Sequence, residues 1–124
     1  MSVVRVYNAG LLTPRGVWSA NPAIDYLANC RNLFRQSLDT LFAGYDPFCP
    51  ALDMNLFLAL KEHEHITELM IKRYSKSWLV VCDALLLSPE WKKSPGTLEE
   101  IKFAEDNHIP VFETLEELNK HEGR

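Results

Sequence analysis

The most apolar stretch of the chain is residues 78–87, which read WLVVCDALLL and carry one charged side chain, Asp83. A continuous apolar run of this length, bounded by polar residues, predicts a strand buried on both faces, as in a parallel sheet. Shorter apolar runs predict the other strands, at residues 3–7, 46–49 and 110–112. Apolar residues at helical spacing, with start and stop signals around them, predict helices at residues 21–42, 56–76, 97–107 and 115–121.

The first predicted helix has a single apolar face. It is formed by Ile24, Leu27, Phe34, Leu38 and Leu41. Because an amphipathic helix normally turns its apolar stripe inward, we expect these side chains to pack on the core.

Strands and helices alternate along the whole chain, which predicts a parallel sheet with right-handed crossovers and helices on both faces. We therefore expect one α/β domain over residues 1–124, a flavodoxin-like (Rossmann-like) three-layer sandwich with about four strands in the order 2-1-3-4. Such sheets bind ligands beyond the carboxyl ends of their strands, where the strand order reverses. The segments 8–16 and 88–96 follow the first and third strands there, and both contain Gly, Pro and polar residues.

Composition narrows the class of partner. The 124 residues are 47% hydrophobic with a formal net charge of -4, which fits one globular domain and argues against a nucleic acid polymer as partner. No signal peptide or membrane-length apolar run occurs in the sequence. Three scattered cysteines favour reduced thiols in the cytoplasm, and the four histidines show no metal-ligand spacing, so we expect no metal site.

The clearest candidate for chemistry is Glu100, in the first turn of the third predicted helix. The helix dipole should keep its carboxylate ionised, which suits a nucleophile. The alternative is structural, because Thr97 and Glu100 match the S/T-x-x-E capping box. Before this helix, Ser94 and the amides near Gly96 are suited to hold a phosphate. The structural alternative for Ser94 is an ordinary N-cap followed by Pro95.

Asp83 is the second candidate, since a carboxylate inside an apolar strand is costly unless it is paired or used. Its structural alternative is a carboxylate satisfied by loop amides near the strand end.

Further candidates lie around the predicted crevice. Past the first strand come Tyr7, Asn8, Gly10, which would let a ligand approach the backbone, and Arg15, which would pair with a phosphate. Asp53 and Asn55 follow the second strand, and Trp91 follows the third. Arg15, Asp53, Asn55 and Trp91 also have structural interpretations. An exposed arginine is usually solvated, Asp53 and Asn55 are typical turn residues, and a tryptophan usually packs in a core.

Two segments of the chain resemble a known protein family. The segment DALLLSPEWKKSPGTLEEIKFA resembles the nucleoside 2-deoxyribosyltransferase-like superfamily, in which a strand aspartate precedes a loop and a G-T/V-x-x-E-x-G-x-A helix. Gly96, Thr97, Glu100 and Ala104 fall at the matching spacing. The opening VYNAG resembles the V-Y-x-A-G first strand of that superfamily.

The resemblance implies cleavage of an N-glycosidic bond without metal or organic cofactor. Glu100 would be the nucleophile, Asp83 would position or protonate the leaving base, and Tyr7 and Gly10 would line the sugar and phosphate end. Ser94 stands where the true transferases have an aspartate, so the chain is similar to the branch that hydrolyses nucleoside 5′-monophosphates, the 2′-deoxynucleoside 5′-phosphate N-hydrolases and the CMP hydrolases. A serine hydroxyl can donate to a phosphate that a carboxylate would repel.

The resemblance also implies a homodimer in which residues of one subunit complete the pocket of the other, and the two long predicted helices are candidates for that contact. Two other functions stay open: a nucleotide-binding module without activity, since a fold alone does not give activity, and a nucleoside 2-deoxyribosyltransferase.

Overall fold

The structure, a computed structural model, describes residues 3–12 and 22–124, with the side chains of residues 22, 23 and 54 left aside. In this part of the chain, four strands form one parallel sheet in the order β2-β1-β3-β4. They are β1 (Arg5–Ala9), β2 (Asp46–Phe48), β3 (Ala84–Leu87) and β4 (Val111–Phe112). This is a flavodoxin-like α/β fold, and the strand order predicted from the sequence is confirmed.

Within residues 3–12 and 22–124, five α-helices connect and cover the strands. They are α1 (Pro22–Phe42), α2 (Pro50–Asp53), α3 (Glu68–Leu79), α4 (Pro95–Asp106) and α5 (Leu115–Glu122). Short 3-10 helices at Met54–Ala59 and Trp91–Lys93 complete the order of elements. No helix in the described part of the chain is long and apolar enough to cross a bilayer.

The sheet separates two apolar layers, because successive residues of a strand point to opposite faces. On one face, Val6 and Leu86 pack with Leu118 of α5, and Thr40 of α1 contacts the same side of β1. On the other face, the side chain of Tyr7 lies in a cluster with residues of α3 and α4. The side chains of β1 are therefore divided between the α1/α5 layer and the α3/α4 layer.

The predicted inward face of α1 is wrong at every position except Phe34, which is partly buried against the cluster containing Leu33. The side chains that α1 buries are Cys30, Leu33, Ser37 and Thr40, whereas Ile24, Leu27, Leu38 and Leu41 are 41–65% exposed. Burial of the two hydroxyls is tolerated because each donates a 2.8 Å hydrogen bond to the backbone oxygen four residues earlier. A prediction from hydrophobicity alone therefore places the wrong face of this helix against the sheet.

The long strand predicted at residues 78–87 is also wrong in extent. Helix α3 continues to Leu79, a turn covers residues 80–83, and only Ala84–Leu87 are extended. The helix in turn begins only at Glu68, where Thr67 caps it by accepting a 3.1 Å hydrogen bond from the Met70 amide. A short apolar run fits a helix end as well as a strand, and here it contains both.

Candidate functional site

A crevice of about 470 Å³ opens beyond the carboxyl ends of β1 and β3. The strand order reverses between these two strands, so the crevice lies where ligands of this fold bind. Its walls come from the segment after β1, from the outer turns of α3 and α4, and from α1 and α2.

The deepest polar group of the crevice is the hydroxyl of Tyr7, which projects from β1 toward α3 and α4. The side chain is fully buried, and within the described part of the chain its Oη makes no hydrogen bond of regular geometry. The neighbouring groups are the Glu100 carboxyl and the Ser75 hydroxyl, and both still act on the phenol electrostatically. Burial first, and then the charge of Glu100, raise the pKa of Tyr7 well above its usual value. This hydroxyl is placed to donate to the Glu100 carboxylate or to a ligand in the crevice.

Glu100 lies beside this hydroxyl, on the inward face of α4. Its side chain is largely buried, and this desolvation raises the pKa of Glu100 from 4.5 to about 7. The Tyr7 hydroxyl opposes the shift and the charge of Glu99 adds to it. The prediction that the helix dipole keeps Glu100 fully ionised is therefore wrong. Because α4 begins at Pro95, Glu100 lies in its second turn, where burial outweighs the dipole.

The start of α4 forms the outer end of the crevice. Ser94 is the N-cap, and its Oγ accepts hydrogen bonds from the Thr97 amide at 3.2 Å and from Thr97 Oγ1 at 2.9 Å. The ordinary N-cap predicted as the structural alternative for Ser94 is thus present, and the capping box of Thr97 with Glu100 is not. Since Ser94 accepts both bonds, its own hydroxyl proton stays available to a ligand in the crevice that it lines.

Asp83 does not join Glu100, which corrects the expectation that the two carboxylates work together. It is exposed and precedes β3, at the amino end of the sheet, whereas the crevice lies at the carboxyl end. Its Oδ2 accepts a 2.7 Å hydrogen bond from the Arg5 amide, and its own amide donates to the Arg5 carbonyl at 2.8 Å. Asp83 therefore has a structural role, as the alternative from the sequence expected, although its carboxylate accepts from one amide of β1 and not from loop amides.

Asn8 lines the crevice, but its side-chain amide belongs to the fold. The side chain is fully buried, and its Oδ1 accepts from Gln36 at 3.0 Å and from Thr40 at 3.3 Å. Its Nδ2 donates to the carbonyl oxygens of Val6 and Phe48. With both ends of the amide engaged, the substrate-binding role predicted for the Asn8 side chain has no geometric support.

Gly10 also lines the crevice, and the fold requires glycine there for a reason other than ligand approach. A Cβ at this position would lie 1.9 Å from Ser88 Oγ and 2.6 Å from Ser88 Cβ. A side chain at position 10 would therefore overlap the side chain of Ser88, in the segment that follows β3.

Three predicted binding residues lie away from the crevice lining. Asp53 accepts a short hydrogen bond from the Tyr74 hydroxyl, and Asn55 is exposed and donates to the Leu52 carbonyl. Trp91 packs against the α3/α4 side of the core. Arg15 lies outside the described residues. Among the described residues, the structure thus brings together Tyr7, Gly10, Ser94, Gly96 and Glu100 and leaves Asp53, Asn55 and Trp91 aside.

The contribution of α3 was missed by the sequence analysis. Ile71, Lys72, Ser75 and Lys76 of this helix line the crevice. Lys72 is paired with Glu99 at 3.0 Å and with Glu68 at 3.2 Å, whereas Lys76 has no ion pair among the described residues. No local motif marks these positions, since only their spacing along one face of α3 connects them.

The opposite wall is apolar and is built by Leu12, Leu33, Pro50 and Ala51. The crevice therefore combines an apolar side, a buried carboxyl with a pKa near neutrality, and a helix N-terminus. Among the described residues no three His, Cys, Asp or Glu side chains are grouped as metal ligands.

Comparison of the sequence with protein-family models gave no match, and no curated protein matches it.

Proposed function

We propose that the crevice cleaves the N-glycosidic bond of a nucleoside or deoxynucleoside 5′-monophosphate and releases free base and sugar 5-phosphate. The observation that carries this proposal is the Glu100 carboxyl, with its pKa of about 7, facing the buried hydroxyl of Tyr7 in a cavity. A buried carboxyl that titrates near neutral pH is typical of a catalytic group, and the superfamily resemblance assigns the nucleophile to the same residue.

The dimensions of α4 support a sugar phosphate as ligand. Ser94 and Glu100 are six residues apart, which is about 9 Å at the usual rise of a helix. A phosphate bound by the Ser94 hydroxyl and the Gly96 amide, in the first turn of α4, would leave the attached sugar over Glu100. The apolar wall containing Leu33 and Ala51 then faces the base.

In the reaction, the ionised Glu100 carboxylate attacks the anomeric carbon, and the bond from that carbon to the base nitrogen breaks with its electron pair going to the base. Tyr7 donates its hydroxyl proton toward the carboxylate and positions it. The departing base takes its proton from water. Water reaches the base at the open side of the crevice, where Glu68 and Glu99 are exposed at the rim. A second water then hydrolyses the glycosyl ester, which restores Glu100 and retains the configuration.

The test is release of free base from a panel of ribo- and deoxyribonucleoside 5′-monophosphates, followed by chromatography. Glu100→Gln keeps the shape and removes the nucleophile, so base release should fall by orders of magnitude. Glu105→Gln, an exposed position on the same helix, is the matched control and should keep the wild-type rate. Unchanged base release in Glu100→Gln would refute the assignment of the nucleophile.

Ser94 tests the substrate class. Ser94→Asp places a carboxylate against the phosphate, so turnover of a nucleoside monophosphate should drop steeply relative to that of its parent nucleoside. Ser94→Ala removes a donor to a charged group and should cost about 1.5–3 kcal/mol. If the ratio of the two rates is the same in wild type and Ser94→Asp, the phosphate does not bind at Ser94 and nucleosides become the better candidates.

A second function, a nucleotide-binding module without activity, is favoured by one observation: Asp83 lies away from the crevice, so the pair of carboxylates implied by the resemblance is incomplete. Calorimetric binding of a nucleoside monophosphate without release of base would support the module. Exchange of bases between two nucleosides would instead indicate a transferase.

A further inference from the structure

The charge of Glu100 has no cationic partner among the described residues. Burial raises the pKa of this carboxyl to about 7, the Tyr7 hydroxyl opposes the shift, and the charge of Glu99 adds to it. Since these neighbours are a hydroxyl and a second anion, no positive charge of the described chain balances the ionised carboxylate. A negative charge in a desolvated cavity attracts a cation strongly, so the crevice is suited to a ligand that is positively charged near Glu100.

The two lysines that line the crevice are both engaged at α4. The Lys72 ammonium bonds to the carboxylates of Glu99 at 3.0 Å and Glu68 at 3.2 Å, and the hydrogen bond to Glu99 is the largest cause that raises the pKa of Lys72. The Lys76 ammonium lies 6.0 Å from the centre of the Phe103 ring. Lys72 is therefore a poor proton donor, and Lys76 is directed to an aromatic ring that does not line the crevice.

The crevice also lacks a carboxylic acid or imidazole that could protonate a leaving base. Of the described residues that line it, the acids are Glu68, Glu99 and Glu100, and none is a histidine. Residues 13–21, which lie outside the described part, contain no Asp, Glu or His. Glu100 attacks as a carboxylate, the other two acids are exposed and paired with a lysine, and the raised pKa of Tyr7 makes its phenol a weak acid.

Resting on the proposed glycosidase activity, we propose that the preferred substrate is a nucleoside 5′-monophosphate whose base is a cationic pyridinium ring. The ring is joined to the sugar through a quaternary nitrogen, so its positive charge lies next to the anomeric carbon that Glu100 attacks. The apolar wall with Leu33 and Ala51 covers the face of the ring. The substrate then matches the crevice at both ends, with its phosphate at Ser94 and its cation at the buried carboxylate.

The reaction of such a substrate needs no proton donor. A Glu100 carboxylate oxygen forms a bond to the anomeric carbon, and the carbon–nitrogen bond breaks with its electron pair going to the ring nitrogen. The base therefore leaves as a neutral pyridine. Water then attacks the anomeric carbon of the glycosyl ester, which restores the carboxylate and gives the sugar 5-phosphate. Each turnover releases one proton, which comes from this water.

The absence of a proton donor among these residues sets the expected selectivity. A positioned general acid typically contributes about 10²–10⁴-fold to a reaction of this kind. An ordinary nucleotide does not gain this factor, because its base leaves as an anion or takes its proton from water. A pyridinium nucleotide has no need of it. We therefore expect kcat/KM for the pyridinium nucleotide to exceed that for an ordinary nucleotide by at least about 100-fold.

Release of free base at pH 8, followed by chromatography, tests this selectivity. The compounds are nicotinamide mononucleotide, its reduced form, and cytidine and adenosine 5′-monophosphates. The reduced form is the matched control, since it has nearly the same shape but no positive charge on its ring nitrogen. Nicotinamide mononucleotide should be cleaved with the expected selectivity, and the reduced form should stay intact. Equal kcat/KM for the oxidised mononucleotide and for either ordinary nucleotide, or cleavage of the reduced form at a similar rate, would overturn the proposal.

A pyridinium bond is also the weaker one in water, so a second measurement isolates the missing proton donor. Ser75 is half-buried in the crevice wall and lies next to the Tyr7 hydroxyl, which neighbours Glu100. Ser75→Asp adds a carboxyl close to Glu100, and of two carboxyls that share a site one keeps its proton near neutral pH. Turnover of cytidine 5′-monophosphate should therefore rise by about tenfold or more relative to that of nicotinamide mononucleotide.

Ser75→Asn is the matched control, because it has the same size and carries no acid. It should leave the ratio of the two rates as in wild type, with circular dichroism showing that both variants are folded. An equal ratio in wild type and Ser75→Asp would overturn the proposal.

Glu100→Gln separates this inference from the activity on which it rests. If ordinary nucleotides are cleaved as well as nicotinamide mononucleotide and both activities are lost in Glu100→Gln, the glycosidase stands and the pyridinium substrate is refuted. If wild type releases no base from any compound, the glycosidase itself is refuted, and the pyridinium substrate with it.

Discussion

Replacing Glu100 by glutamine should stabilise the protein at alkaline pH, although it should abolish the proposed activity. The carboxyl has a pKa of about 7 in the folded protein and 4.5 as its ordinary value. Because the folded pKa is the higher one, the unfolded chain releases this proton first as pH rises. The free energy of unfolding therefore falls between pH 4.5 and 7 and stays lowered above pH 7.

The size of the effect follows from the two pKa values. Each difference of one in pKa corresponds to about 1.4 kcal/mol, so the raised pKa of Glu100 lowers the free energy of unfolding by about 3 kcal/mol at pH 8 and by roughly 1 kcal/mol at pH 5. Glutamine has the same shape and never ionises, so Glu100→Gln removes this cost. For a domain of this size we expect the melting temperature to rise by about 10 °C at pH 8 and by far less at pH 5.

Urea and thermal unfolding at pH 5 and pH 8 measure the effect, with Glu105→Gln as the control on the same helix. The control should change stability by the same small amount at both pH values. If Glu100→Gln stabilises the protein equally at pH 5 and pH 8, or destabilises it at pH 8, the buried-carboxyl account of Glu100 fails.

Three further predictions concern the site and its frame. If ionised Glu100 is the nucleophile, kcat/KM should rise with pH through about 7. Tyr7→Phe removes the donor that lowers the Glu100 pKa, so the rise of kcat/KM should move to higher pH in this variant. A rise that stays at the same pH would contradict the contact between Tyr7 and Glu100. Asp83→Asn should keep the wild-type turnover and cost about 1 kcal/mol in urea unfolding, because Asp83 only caps a backbone amide of β1. Gly10→Ala should cost about 1–3 kcal/mol through overlap with Ser88, and Ser88→Gly in the same chain should restore most of it.

The fold was predictable because it depends on the order of elements more than on their ends. Alternating strands and helices with one central apolar run lead to the parallel sheet whatever the exact boundaries are. The errors occurred where local hydrophobicity was ambiguous. Residues 78–87 combine a helix end with a strand, and α1 buries Ser37 and Thr40 while exposing leucines, which only the hydrogen bonds of the folded helix explain.

The lining of the crevice was predictable where its residues adjoin a strand end or a helix start. Tyr7, Ser94 and Glu100 were identified in this way. The α3 wall with Lys72 and Ser75 was not, because its place depends on how α3 packs beside α4, a contact between segments distant in sequence. The position of Asp83 was predicted wrongly for the same reason as the extent of its strand. The strand begins at Ala84 and not at residue 78, so Asp83 lies at the amino end of the sheet and not in the middle of the strand.

Both edges of the sheet are short, and this bears on aggregation. The outer strand β2 has three residues and contains Pro47, which lacks an amide donor, while β4 has only two residues. An edge of this kind gives an incoming strand almost no ladder of free donors and acceptors to extend. Growth of fibrils by addition of strands to the native sheet is therefore disfavoured, and damage to the protein should lead to aggregates only after the domain has unfolded.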